Sequence, residues 1–423
     1  MTNIYKLLIA FLMCLRIDAA DWQNLQYEPV SHVSANPLKG FIPFYDKDLD
    51  AKFPYSMEWF YLGLNEFMTG PDKFDFETFL EKKLNTIASR GNQAVFRVYL
   101  DYPGKKPAVP DFLIKNGHKL LKYKNDDPDN KGGLSPDYKD ENLVNSMVNS
   151  IKALGSKYDG DPRIAFITVG YLGHWGEWHT YPNNHLMAEK TAQEKILRAF
   201  GESFKRTKFL LRYPDMGVKD VSCGFHDDSF AFATLKHPKK DWYFLSRVQK
   251  AGVQESWKSQ PIGGEIYPPL QKKIWNENSP KNSESFSQCV KDSHCSWLIN
   301  DEIFYGKWPQ DKIERAQKAS ISLGYDLYIS RFKYEDGTLS VEISNKGVAP
   351  FYYPWALELV NPESGNVIKT DWDITKALPE KAQIYSIKVQ SPNLGLRVVN
   401  PLKGGKSLKF SNKNLKGAIV LLK

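Results

Sequence analysis

Ile164-Ala165-Phe166-Ile167-Thr168-Val169-Gly170 runs without a charge into Tyr171-Leu172-Gly173-His174-Trp175-Gly176-Glu177-Trp178-His179-Thr180-Tyr181. The first stretch is apolar and rich in β-branched residues, which is how a strand covered on both faces reads. The second sets one carboxylate, Glu177, among Trp175, Trp178 and His179. In a parallel barrel the loops at the C-terminal ends of the strands carry the chemistry. A buried strand followed by such a loop therefore predicts the fold class and the site together.

Runs of the same texture recur on either side. Gly40–Phe44, Met57–Leu64, Ala94–Leu100, Phe209–Tyr213, Phe230–Thr234, Pro261–Ile266 and Ser296–Ile299 join Ile164–Tyr171 to give eight candidate strands. Helical patterns lie between them. Phe76–Ser89 carries Phe76, Phe79, Leu80, Leu84 and Ile87 at helical spacing. Glu141–Leu154, Leu186–Phe204 and Lys312–Ser320 are further helix candidates. This alternation fits an α/β fold, a (β/α)8 TIM-like barrel, better than a doubly wound sheet. The long segment 101–139, rich in Pro, Gly and Asp, reads as a loop at or over the site.

After Tyr325 the texture changes. Tyr325–Tyr334, Thr338–Asn345, Ala356–Val360, Gln383–Val389 and Ala418–Leu422 read as strands separated by turn residues such as Glu335-Asp336-Gly337 and Lys403-Gly404-Gly405. These strands predict a small antiparallel β-sandwich. The expected organisation is a signal segment over 1–20, a barrel over 21–323 and a sandwich over 324–423.

The signal reading rests on Lys6, the apolar run Leu7–Leu15 and Ala19-Ala20. That run is too short to span a bilayer. It predicts an exported, extracellular protein with no membrane anchor. Its removal leaves 55 basic against 48 acidic residues, a mild excess spread along the chain. Nucleic-acid binding needs a clustered basic patch or a recognisable motif, and neither is present. The excess is compatible with an acidic partner. Cys289 and Cys295 enclose a short loop and suit a disulfide in an oxidising compartment. Cys223 reads as a small buried residue.

Glu177 and Glu265 are the candidate catalytic pair. Apolar and aromatic neighbours at a strand end are expected to raise the pKa of Glu177, so that it can donate a proton. Glu265 ends the seventh candidate strand, in Pro261-Ile262-Gly263-Gly264-Glu265-Ile266-Tyr267. The paired glycines allow another segment or a ligand to come close. Two carboxylates at opposite strand ends of one barrel are what glycoside hydrolysis needs. Arg97, Asp101 and Arg212 fall at or near strand ends and are candidate sugar contacts. His179, Trp175, Trp178, Tyr181, Tyr267 and Trp297 are candidates for contacting or stacking on sugar rings. The histidines show no metal-ligand spacing, so no metal is expected, and no phosphate-binding or other cofactor motif occurs.

The two glutamates resemble the pair of the clan A glycoside hydrolases. That resemblance implies a TIM barrel with the acid/base at strand four and the nucleophile at strand seven. Residues 36–423 more closely resemble a secreted family with a domain of unknown function. The resemblance is carried by Asn36-Pro37-Leu38-Lys39-Gly40-Phe41, by Gly173–His179, by Gly263-Gly264-Glu265 and by the terminal sandwich. It implies Glu177 as acid/base and Glu265 as nucleophile, with retention of configuration. Clan A enzymes commonly place Asn immediately before the acid/base, and Gly176 stands there in this chain. The alternative expectation is a catalytically silent carbohydrate-binding protein on the same scaffold.

Overall fold

The computed structural model describes residues 21–30, 35–45, 53–125, 131–305 and 307–422. The expected signal segment, 1–20, lies outside the described residues.

Eight parallel strands form one sheet: β1 (Gly40–Ile42), β2 (Met57–Gly63), β3 (Gln93–Tyr99), β4 (Ile164–Thr168), β5 (Phe209–Leu211), β6 (Gly224–Phe230), β7 (Ile262–Ile266) and β8 (Trp297–Ile299). The strands neighbour one another in chain order, and β8 returns to pair with β1. A parallel bridge between Phe44 and Trp59, flanked by Tyr45 N–H donating to Trp59 O at 2.9 Å, joins β1 to β2 and closes the barrel. Seven strands fall where the apolar runs predict them. The sixth is a correction: it is Gly224–Phe230, and Phe230–Thr234 only begins at its last residue.

Helices α1 (Lys82–Ser89), α2 (Glu141–Tyr158), α3 (Lys190–Ser203), α4 (Phe244–Ala251), α5 (Phe286–Ser293) and α6 (Gln310–Ser322) surround the sheet. Asp140 starts α2 by accepting a hydrogen bond from Asn142 N–H, the usual way to satisfy an orphan donor at a helix start. Alternation along the strands divides the core in two. Phe60, Leu62, Phe96, Val98 and Ile167 belong to the apolar cluster under the helices. Trp59, Val95, Phe166, Leu210 and Trp297 belong to a second cluster that fills the lower barrel and continues into the C-terminal domain.

That domain is a sandwich of two antiparallel sheets. Its longest strands, Leu327–Glu335 and Thr338–Asn345, pair with each other, and Gln383–Lys388 extends the same sheet. The opposite sheet is built around Leu357–Val360 and Leu394–Val398. The N-terminal lead-in joins the sandwich rather than the barrel, because Gln23 pairs with Phe332 and Leu25 N–H donates to Ser330 O.

The sandwich covers the N-terminal mouth of the barrel. Tyr353 Oη donates to Ala165 O at the start of β4 and accepts from Lys208 N–H just before β5. Its ring lies 6.1 Å from Phe166 inside the barrel. A cavity of about 790 Å3 remains at this seam, lined in part by Lys208, Tyr352, Tyr353 and Trp355. It lies at the opposite end of the barrel from the glutamates.

No disulfide joins Cys289 and Cys295, which corrects the expectation from their spacing. All three described cysteines are free and buried. Cys289 Sγ, on α5, donates to Glu284 Oε2 at 3.6 Å, and Cys295 Sγ donates to Trp297 O at 3.4 Å. Burial pushes both thiols upward, as it does Cys223.

Candidate active site

Arg97 organises the C-terminal half of the barrel interior. It sits on β3, where it pairs in register with Tyr61 of β2 and Thr168 of β4. Its side chain is 2% exposed, so every donor needs a partner. Nε donates to Thr168 Oγ1 at 3.0 Å, Nη1 to Glu177 Oε1 at 3.1 Å and Nη2 to Asp228 Oδ2 at 2.8 Å. Beneath it, the guanidinium lies 5.0 Å from the centre of the Trp59 ring, a cation–π contact with the buried aromatic layer.

Asp228 is the second centre. Its other oxygen, Oδ1, lies 2.8 Å from His226 Nδ1. Burial alone would raise its pKa, but Arg97 and His226 outweigh that and hold the carboxyl well below the usual range. His226 is fully buried, and burial pushes it down to about 4. Next to it, Asp227 accepts from Thr234 Oγ1 at 2.7 Å and from Ser229 N–H at 3.0 Å. Burial raises Asp227 to about 6 against the pull of Arg212.

Glu265, on β7, is surrounded differently. Its only hydrogen-bond donor among the described residues is Gln271 Nε2, at 3.0 Å from Oε1. Burial pushes its pKa well up, and repulsion from Asp228 and Glu177 adds to this, with Arg97 opposing. Glu177 is bound by Arg97, and His179 Nε2 lies 3.4 Å from its Oε2. Burial raises the Tyr61 and Tyr102 pKa values, and the charges of Glu177 and Glu265 add to this at both rings.

The loop carrying Glu177 is folded back on itself. His174 N–H donates to His179 O at 2.8 Å, and Trp178 N–H donates to Leu172 O at 2.9 Å. Trp175 N–H donates to Asp101 O, tying the loop to the end of β3. Tyr171, Trp175 and Trp178 all have positive φ, of 69°, 53° and 59°. Non-glycine residues there cost of order 1 kcal/mol each, and such strain clusters at functional sites. Gly176 has φ +70°, and a Cβ on it would lie 2.9 Å from Val98 O and 3.2 Å from Arg97 Cδ. The Asn of the clan A pattern has no room at this position.

The remaining candidates divide into those at the cleft and those in the core. Arg212 is buried, with Nη1 3.7 Å from Asp227 Oδ1 and Nε 3.8 Å from Asp228 Oδ2. Trp175 is half-buried, with its ring 6.4 Å from Tyr102 and 6.1 Å from His179. Tyr181 is 70% exposed. Tyr267 is half-buried and stacks on Phe232 at 4.3 Å.

Three expectations are corrected. Trp178 is fully buried, and its Nε1 donates to Gly170 O at 3.0 Å, so it offers no face to a sugar. Trp297 is also fully buried, stacked between Trp59 and Phe166, and it occupies the place of the missing Gly263 Cβ. The glycine pair thus admits an indole and the backbone of Asp227 rather than a ligand. Asp101 is 1% exposed and is held by His174 Nδ1 and Tyr123 Oη, each at 2.8 Å, so it anchors the loop.

The sequence reading overlooked Tyr61, which lies in a run that reads as ordinary strand, Tyr102, in the segment that reads as a loop, and Gln271, which lies outside every candidate element. Among the described residues, no group of three His, Cys, Asp or Glu side chains is placed to hold a metal ion.

No family model and no curated protein matches the chain. Among solved structures it is similar to endo-glycoceramidase II from Rhodococcus sp. in a cellobiose-like isofagomine complex. The identity is 10% over 86% of this chain and 100% of that one, with a TM-score of 0.41. The ganglioside GM3 complex of endo-glycoceramidase II from Rhodococcus sp. matches at 9% identity over 84% and 97%, with a TM-score of 0.41. Pseudomonas stutzeri endoglucanase Cel5A matches at 10% identity over 71% of this chain and 97% of that one, with a TM-score of 0.36. The barrel stands on its own strand pairing, independently of these likenesses.

Proposed function

We propose that the protein is an exported glycoside hydrolase that cleaves a poly- or oligosaccharide with retention of configuration, using Glu177 and Glu265. The observation that carries this reading is the placement of two carboxylates at the C-terminal ends of β4 and β7, with Glu177 bound by the buried Arg97 guanidinium. Carboxylates that repel each other share one proton, and a retaining pair needs one acid and one ionised nucleophile. Burial, with Asp228 and Glu177, raises the Glu265 pKa. Catalysis in the order given by strand position needs Glu265 ionised and the proton on Glu177. An oxygen of Glu265 then bonds to the anomeric carbon while Glu177 protonates the departing glycosidic oxygen. In the second step water attacks that carbon, Glu177 takes its proton and Glu265 departs.

The test is Glu177→Gln and Glu265→Gln in a folded protein, assayed on a polysaccharide panel with product analysis. Each variant is expected to lower turnover by roughly 10²–10⁴-fold. Near-full activity in either one removes that residue from the mechanism. The second reading, a silent carbohydrate-binding protein, is favoured by the Arg97–Glu177 ion pair and by the absence of room for Asn at Gly176. It predicts sugar binding without turnover.

A further inference from the structure

Gln271 follows Glu265 by one short turn of chain and is 4% exposed. It ends the one-turn helix Pro268–Gln271, which leaves β7 directly after Tyr267. Pro268 and Pro269 fix φ at the start of that turn. Tyr267 N–H, just before them, donates to Phe230 O of β6 at 3.1 Å. The turn is therefore stiff and anchored, and it brings Gln271 back to the glutamate it follows.

Both ends of the Gln271 amide are engaged. Nε2 donates to Glu265 Oε1 at 3.0 Å and to Ile266 O at 3.1 Å, and Oε1 accepts from Glu302 N–H at 3.3 Å. A backbone carbonyl only accepts and a backbone N–H only donates. Ile266 O and Glu302 N–H therefore hold the amide with its nitrogen toward Glu265. A donor fixed in this way bonds a carboxylate more strongly than a neutral carboxyl.

The other groups around Glu265 do not replace it. Asp228 of β6 and Glu177 of the β4 loop repel its charge, and Arg97 of β3 attracts it. Tyr61 of β2 and Tyr102 of the loop after β3 also lie within range of that charge. Arg97 bonds Thr168, Glu177 and Asp228, and among the described residues it makes no hydrogen bond to Glu265.

We propose that Gln271 is the positioning residue of Glu265, whose amide holds the carboxylate at the end of β7 and favours its ionised form. The contact gains its catalytic meaning from the glycosidase reading, which needs that ionised form for attack, but the contact itself does not depend on turnover.

The experiment follows stability against pH by urea melts of four proteins: wild type, Glu265→Gln, Gln271→Met and the double variant. Methionine keeps the length of the side chain and removes the amide. The unpaired Ile266 O and Glu302 N–H that it leaves cost the same at every pH and drop out of the comparison. Each protein that retains Glu265 loses stability relative to its Glu265→Gln partner as pH rises through the Glu265 pKa. In the Gln271→Met pair that loss should continue about one pH unit further, the scale of a hydrogen bond to a charged group. Gln271→Leu should give the same shift and takes the place of the methionine variant if that one does not fold. An unshifted curve, or a loss that ends at lower pH, overturns the proposal. Activity reports separately on the glycosidase reading. On a substrate that the wild type hydrolyses, Gln271→Met should lower kcat about tenfold and leave KM nearly unchanged, because the amide touches the nucleophile and not the sugar. A shifted stability curve with kcat intact upholds the hold of Gln271 on Glu265 and removes Glu265 as the nucleophile.

Discussion

Arg97 Nη1 lies 3.1 Å from Glu177 Oε1, while Nη2 of the same side chain holds Asp228 at 2.8 Å. One buried cation therefore fixes a loop carboxylate of β4 against a strand carboxylate of β6. This makes the loop conformation and the barrel interior parts of a single polar network, in which removal of Arg97 leaves two carboxylates without their shared cation.

Arg97→Met tests that dependence. The substitution leaves Asp228 buried without its main counter-charge, and breaking a buried pair in this way costs about 3–5 kcal/mol. Urea denaturation should register that loss, whereas Arg331→Met, at an outer ion pair of the sandwich, should cost less than about 1 kcal/mol. Similar costs at the two sites would show that Arg97 is not the organising charge.

Gly176→Ala separates backbone conformation from missing chemistry. The new methyl would meet Val98 O at 2.9 Å at a φ of +70°, so a stability loss of roughly 1–3 kcal/mol is expected. Gly176→Asn, which writes the clan A residue into the chain, should lose stability as well and gain no activity. An active and undiminished Asn variant would mean that the loop relaxes more freely than its contacts allow.

Much of this was legible in the sequence, because burial on both faces writes itself as continuous apolar runs. Seven barrel strands and the change of texture at the sandwich follow from that alone. The sixth strand failed because it points His226 and Asp228 into the polar half of the barrel, where a buried strand looks like a loop. Helices Phe244–Ala251 and Phe286–Ser293 are only eight residues long, too short for a periodic pattern to stand out. The glutamates could be picked out by position, but their environments could not. Neighbours in sequence suggested an apolar setting for Glu177, yet Trp178 turns into the core and Arg97 arrives from 80 residues away.

Glu265→Gln should change how stability depends on pH. The fold raises the Glu265 pKa, so the native state keeps a proton that the unfolded chain releases. The stability gained is complete below the ordinary glutamate pKa and is lost as pH rises through the raised value. The wild type should therefore lose stability relative to Glu265→Gln as pH rises from about 4, the ordinary glutamate value, through the raised one. Urea melts at several pH values read this directly, and parallel curves for the two proteins would contradict the raised pKa.

Azide separates the roles of the two glutamates. With an aryl glycoside, whose leaving group needs little protonation, a variant lacking the acid/base can still form the glycosyl-enzyme. Azide should then release a glycosyl azide of retained configuration from Glu177→Ala. From Glu265→Ala, which lacks the nucleophile, azide should attack the glycoside directly and give the inverted anomer. Proton NMR of the products distinguishes these outcomes. The opposite pairing would make Glu265 the acid/base and Glu177, bound by Arg97, the nucleophile.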